Sequence, residues 1–139
     1  MSRSGYTDDI DDVLSYGRWR GAVCSAIRGK RGQDMMKELL SALDAMPEKK
    51  LYLNSFEAGE GQFCTLGVLG NSRGTQINDL LKDEDYCDTV VVAQRFGIAN
   101  ALACEIMYEN DEGTFDVEET PEQRFTRMRR WVVDNIIQG

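Results

Sequence analysis

Glu105, Glu109, Asp111, Glu112 and Asp116 are the side chains in the sequence best placed to do chemistry with a metal ion. Glu105 and Glu109 are four residues apart, which puts both on one face of a helix. Carboxylates so placed can gather a divalent cation or divide the roles of general acid and base. An EF-hand does not fit, because a loop with Gly113 at its sixth position would begin at Tyr108 instead of a carboxylate. The same residues have a second use: Glu105, Glu109, Asp111 and Glu112 are the candidate partner-binding residues of an electronegative patch that would occupy a basic surface on another protein.

Two basic groups face this acidic run. Arg18, Arg20, Arg28, Lys30 and Arg31 surround a first helical hairpin, and Arg124, Arg127, Arg129 and Arg130 fall on the last helix, with Trp19 and Trp131 beside them. Arginine interleaved with aromatic residues can hold a nucleic-acid backbone, so Arg18, Arg20, Lys30 and Arg31 are the candidate residues of an alternative, nucleic-acid-binding surface. Against this stand a net charge of −8 and the ordinary use of tryptophan as a core anchor. The charge is unevenly spread. Residues 51–120 hold three Lys/Arg against fourteen Asp/Glu, whereas the segments on either side are mildly basic.

The exclusions are sharper. With no histidine in 139 residues, the commonest neutral-pH base, the commonest metal ligand and every Ser-His or Cys-His nucleophile are absent. Cys24, Cys64, Cys87 and Cys104 are too widely spaced for a zinc or redox pair and read as buried free thiols. The start, MSRSGYTDDIDD, lacks an apolar secretory core, so the expected setting is a reducing cytoplasm. Gly67, Gly70 and Gly74 match neither a P-loop nor a dinucleotide loop and read as turn glycines. The expectation is a non-enzymatic protein with no cofactor and no metal, and divalent-metal binding by the 105–116 carboxylates stands as a further alternative.

The elements that must position these groups follow from periodicity. Size and composition indicate one soluble globular domain over residues 1–139, with residues 1–9 as a flexible arm. Trp19, Val23, Ala26 and Ile27 predict an amphipathic helix over 16–28. Gly29 to Gly32 break it, and Met36, Leu39, Leu40, Leu43 and Met46 mark a second helix that ends before Pro47. Alternation around Leu51 to Phe56, and the apolar, partly β-branched run from Phe63 to Leu69, predict a short β-hairpin. A helical piece with Ile77, Leu80 and Leu81 follows, then a helix over about 85–96. Gly97 closes that helix, and a further helix carries Ile98, Ala101, Leu102 and Ile106 and stops near residues 109–113. Thr120, Pro121, Glu122 and Gln123 spell the start of the last helix, whose core side is Phe125, Met128, Val132 and Ile136 and whose solvent side is Arg124, Arg127 and Arg130. The fold class is mainly α (α+β): a compact helical domain of five to six helices with a small β-hairpin.

Taken in order, the segments GRWRGAVCSAIRGKRGQ, LLSALDAMPEKKL, FCTLGVLG, FGIANALACEIMYENDEG and TPEQRFTRMRRWVVDNI resemble a family of small proteins encoded by bacteriophages and prophages. The resemblance spans nearly the whole chain and brings no catalytic residue with it. It implies work in the cytoplasm of a bacterial host as an accessory protein, monomeric or homodimeric, that binds a host protein or complex. The action expected from it is inhibition of a nucleic-acid-handling or defence system, such as CRISPR, through the acidic surface. A nucleic-acid-associated protein of phage replication or regulation is the alternative.

Overall fold

The computed structural model describes residues 13–52, 57–59, 62–74, 81–83, 86–87, 89–112 and 118–137. Among these there are six helices and two two-stranded antiparallel pairs, which makes the fold mainly α. The helices are α1 (Val13–Arg28), α2 (Lys30–Asp44), α3 (Thr65–Ser72), α4 (Thr89–Phe96), α5 (Asn100–Glu112) and α6 (Pro121–Asp134). The strands are β1 (Glu57–Gly59) with β2 (Gln62–Phe63), and β3 (Leu81–Asp83) with β4 (Tyr86–Cys87).

The first hairpin turns on a single residue. Gly29 caps α2 in an extended conformation, so Lys30, Arg31 and Gly32 lie inside α2 and not in a linker. Gly32 is where the two helices meet most closely, since a Cβ there would collide with the Ala26 carbonyl. Val23 and Ile27 of α1 join Met35, Met36, Leu39 and Leu43 of α2 in the core. Lys49 closes the end of α2 by donating to the Asp44 carbonyl at 2.6 Å.

The expected small hairpin is present as β1 and β2, and helix α3 corrects the extent of its second strand. Thr65 to Leu69, read as a strand from its β-branched and apolar residues, is helical and buried throughout, Gly67 and Gly70 included. The Cys64 Sγ accepts from the Gly67 N–H at 3.4 Å and so starts the helix. Because α3 is buried on all sides between α2 and α5, it shows no amphipathic period. A trace of the expected pairing survives, as the Tyr52 N–H donates to the Phe63 carbonyl at 2.9 Å. Leu81 falls in β3 and Tyr86 and Cys87 in β4, so the helix expected over 85–96 begins only at Thr89. Ile77, Leu80 and the arm at residues 1–9 lie outside the described residues.

Gly97, at φ +71, turns α4 into α5 at an angle of 99°. This left-handed conformation is the one that favours glycine. No single described helix is long and apolar enough to cross a membrane. The apolar α4–α5 pair is instead the centre of the core, with Val92, Phe96, Leu102, Ile106 and Met107 buried. Helix α6 starts as its residues predict, with Thr120 and Gln123 in a reciprocal capping box and Pro121 behind the cap. Phe125, Met128 and Val132 then complete the core.

Candidate functional site

The charged side chains of α5 and α6 turn toward each other and toward α1. Glu105 is 2 % exposed and accepts from the Arg20 Nη1 at 2.9 Å, which ties α5 to α1. The same guanidinium lies 4.8 Å from the Trp19 ring centroid. One turn on, Glu109 is half-buried beside Glu105, with the Arg127 Nη1 at 4.0 Å from its carboxylate. Burial first, and then repulsion from the Glu105 carboxylate, push the Glu109 pKa above the usual carboxylate range, and Arg127 and Arg20 oppose this only in part.

Arg127 is committed mainly elsewhere. Its Nε and Nη2 form a bidentate pair with Glu119 at 2.8 and 3.1 Å. Its Nη1 donates to the Glu109 carbonyl at 2.7 Å, and its Nη2 to the Asn110 carbonyl at 3.3 Å. A cation at the C-terminal end of α5 satisfies the carbonyls that no helical N–H reaches. Arg124 sits against the same glutamate. Its Nε is 3.3 Å from Glu119 but at an angle that makes no hydrogen bond, while its Nη1 donates to the Leu51 carbonyl at 3.1 Å. Burial pulls the Arg124 pKa down, and Glu119 partly restores it. Arg124 is therefore a buried anchor of the 51–52 segment, a correction to its expected place on the solvent side of α6.

Asn110 joins the cluster to α3. Its Oδ1 accepts from both the N–H and the hydroxyl of Thr65, at 3.1 and 2.8 Å. Its Nδ2 donates to the Tyr52 carbonyl at 3.0 Å and to Asp111 at 2.8 Å. All of its bonding capacity is used, which makes this buried amide a positioning element for the whole end of α5.

The four acidic candidates are thus divided. Glu105 is interior, Glu109 and Asp111 are half-buried in the network, and the Glu112 side chain lies outside what the structure describes, as does Asp116. A run of four carboxylates on one open surface is not what the described residues form. Nor do three or more Cys, Asp or Glu side chains among them come together in a way that could hold a metal ion.

The basic candidates divide the other way. Arg20 points inward to Glu105, and Lys30 pairs with Asp34 at 3.0 Å on the open face of α2. Arg18 and Arg31 are exposed and have no ion pair among the described residues, and Arg28, at the end of α1, shares that condition. At about 1.5 Å of rise per residue, Arg18 and Arg28 stand roughly 15 Å apart along α1. Cys24, between them, is exposed, which corrects the expectation of a buried thiol, whereas Cys64 and Cys104 are buried as expected.

No family model, curated protein or solved structure matches the chain.

The geometry is therefore the basis for any functional reading. Periodicity could not reveal Arg124, Glu119, Asn110 and Gln33 as buried polar anchors. Arg124, Asn110 and Gln33 each bond a segment far away in sequence, as with the Gln33 Nε2, which donates to the Asn135 carbonyl at 2.9 Å.

Proposed function

We propose that the chain is a non-enzymatic phage accessory protein that acts by binding a protein of its bacterial host, and that it does so through the basic outer side of the α1–α2 hairpin. One observation carries this reading. Among the described residues, Glu105 is buried and Glu109 and Asp111 are half-buried at the α1–α5–α6 junction, while Arg18, Arg28 and Arg31 are exposed and have no ion pair. Exposed guanidinium groups can form bidentate bonds with a partner.

The chemistry favours an acidic protein face over nucleic acid. The same outer side carries Asp34, Glu38 and Asp44, and the chain's net charge of −8 repels a polyphosphate at long range. Mixed charge with unpaired arginines suits the polar rim of a protein interface. Blocking or redirecting a host nucleic-acid-handling or defence complex is the action such binding would serve. The bacterial cytoplasm as the setting, like the phage origin, rests on the resemblance of the sequence segments.

The test is affinity capture from bacterial lysate with and without nuclease, comparing the wild type with two variants. Arg18→Glu/Arg28→Glu/Arg31→Glu should lose a stoichiometric, nuclease-insensitive host protein, and Glu109→Gln/Asp111→Asn/Glu112→Gln should keep it. The reverse pattern would return the contact to the acidic run. Retention that nuclease abolishes would assign the arginines to nucleic acid.

A further inference from the structure

We propose that residues 135–137 form a releasable strap that holds the α1–α2 elbow closed through Gln33, and that the elbow, with Arg28, Lys30 and Arg31 on it, opens when the strap lets go. The strap stands on its own contacts. Its bearing on partner binding rests on the function proposed above, since Arg28 and Arg31 belong to the face assigned there.

Gln33 is the buried polar side chain of α2, 9 % exposed and one helical turn after the Gly29 cap. Its Nε2 donates to the Ile27 carbonyl of α1 at 2.7 Å and to the Asn135 carbonyl at 2.9 Å, and its Oε1 accepts from the Ile137 N–H at 2.8 Å. Both amide hydrogens are therefore used, one within the hairpin and one on the strap. The Asn135 carbonyl and the Ile137 N–H are read together, much as a neighbouring strand would read them. Gln33 engages only main-chain groups of the strap, so this contact is indifferent to the side chains at 135 and 137.

Other attachments of the strap are few. The Asn135 N–H and Nδ2 donate to the Trp131 carbonyl at 3.2 and 2.8 Å and keep residue 135 with the end of α6. Beyond it, Ile136 is only partly buried against the core and Ile137 is 55 % exposed. Segments with so little buried surface open at the lowest free energies in a fold. When the strap leaves, a buried N–H and a buried carbonyl oxygen of Gln33 lose partners that only water can replace. Water reaches them as the first turn of α2 moves away from α1, on the side where Arg28 to Arg31 are exposed. Strap release and elbow opening are thus coupled, and by reciprocity a partner seated on Arg28 and Arg31 would fasten the strap.

The elbow carries its own reporter, because Arg28, Lys30 and Arg31 are all trypsin sites. Proteolysis of a folded chain follows the population of its locally opened form. The test is limited trypsin digestion of the folded full-length chain, with elbow cleavage measured against cleavage after Lys37, in the middle of α2, which reports unfolding of the whole helix. Ile137→Pro removes the N–H and should raise the ratio of elbow to Lys37 cleavage about fivefold, the factor equivalent to one ordinary hydrogen bond. Ile137→Ala trims the exposed side chain, keeps the N–H and should match the wild type. An unchanged ratio in Ile137→Pro, or a rise that Ile137→Ala shares, would overturn the proposal. Should Ile137→Pro fail to fold, amide exchange of the wild type decides by NMR. Opening of the Ile137 and Gln33 amides in one step supports the strap, and free exchange at Ile137 with the Gln33 amide still protected rejects it. None of these rates depends on a partner, so a failure of the proposed contact face would leave them unchanged.

Discussion

The α1–α2 hairpin and the α5–α6 junction use the same charged side chains to opposite ends. At the junction, Arg20, Arg124 and Arg127 meet Glu105, Glu109 and Glu119, and each guanidinium bonds a carboxylate or backbone carbonyl of a neighbouring element. On the hairpin, Arg18, Arg28 and Arg31 stand in solvent, and the two helices are joined by apolar packing and by the close approach at Gly32. The contrast shows that charge type predicts little about role. What decides is whether a second element supplies the counter-charge, and that depends on the fold and not on local spacing.

Breaking the junction should give the largest effect. Arg127→Met removes the bidentate partner of Glu119, itself 8 % exposed, and strands the Glu109 and Asn110 carbonyls. Chemical denaturation should show a loss of about 3 kcal/mol, the usual scale for leaving a buried charge uncompensated. Next comes Gly32→Ala, which tests whether close packing holds the hairpin. The collision with the Ala26 carbonyl should cost about 2 kcal/mol, and a neutral result would show that α1 and α2 can separate freely. The triple change Arg18→Ala/Arg28→Ala/Arg31→Ala should move stability by less than about 0.5 kcal/mol while abolishing partner capture, which would sharpen the division between a structural and a contact region.

The smallest effects belong to the exposed pairs that link α2 to its neighbours. The Arg73 guanidinium bonds Glu38 at 2.7 and 2.8 Å, and the Arg129 guanidinium bonds Asp44 at 2.6 and 3.2 Å. Hydrogen bonds from these arginines hold both carboxyls below the usual carboxylate range. Their contribution is complete above the ordinary carboxylate pKa and is lost as pH falls through the lowered values. Acid titration of melting temperature at low and high salt should show this loss, reduced by salt because the pairs are exposed.

These differences also explain which parts of the fold were legible in sequence. The start of α6 and the Gly97 turn were readable because capping and positive φ are local demands, met by Thr120, Gln123 and Gly97 themselves. The stripes of α1 and α2 were readable because one face of each meets solvent. Helix α3 was not, since burial on every side removes the period and its glycines serve close packing where turns were expected. The surroundings of the candidate acidic site were not legible for a related reason. Glu105 and Glu109 do share a helix face, but only tertiary structure shows that α1 and α6 cover it.

Gln33 adds a consequence for the order of assembly. Its side chain bonds the Ile27 and Asn135 carbonyls, and its Oε1 accepts from the Ile137 N–H at 2.8 Å, so one amide near the first turn closes against residues more than one hundred positions later. During synthesis the α1–α2 hairpin can form early with the Ile27 bond in place, but its buried amide lacks the Asn135 and Ile137 partners until they emerge from the ribosome. Its final locking therefore waits until residues 135–137 have been made.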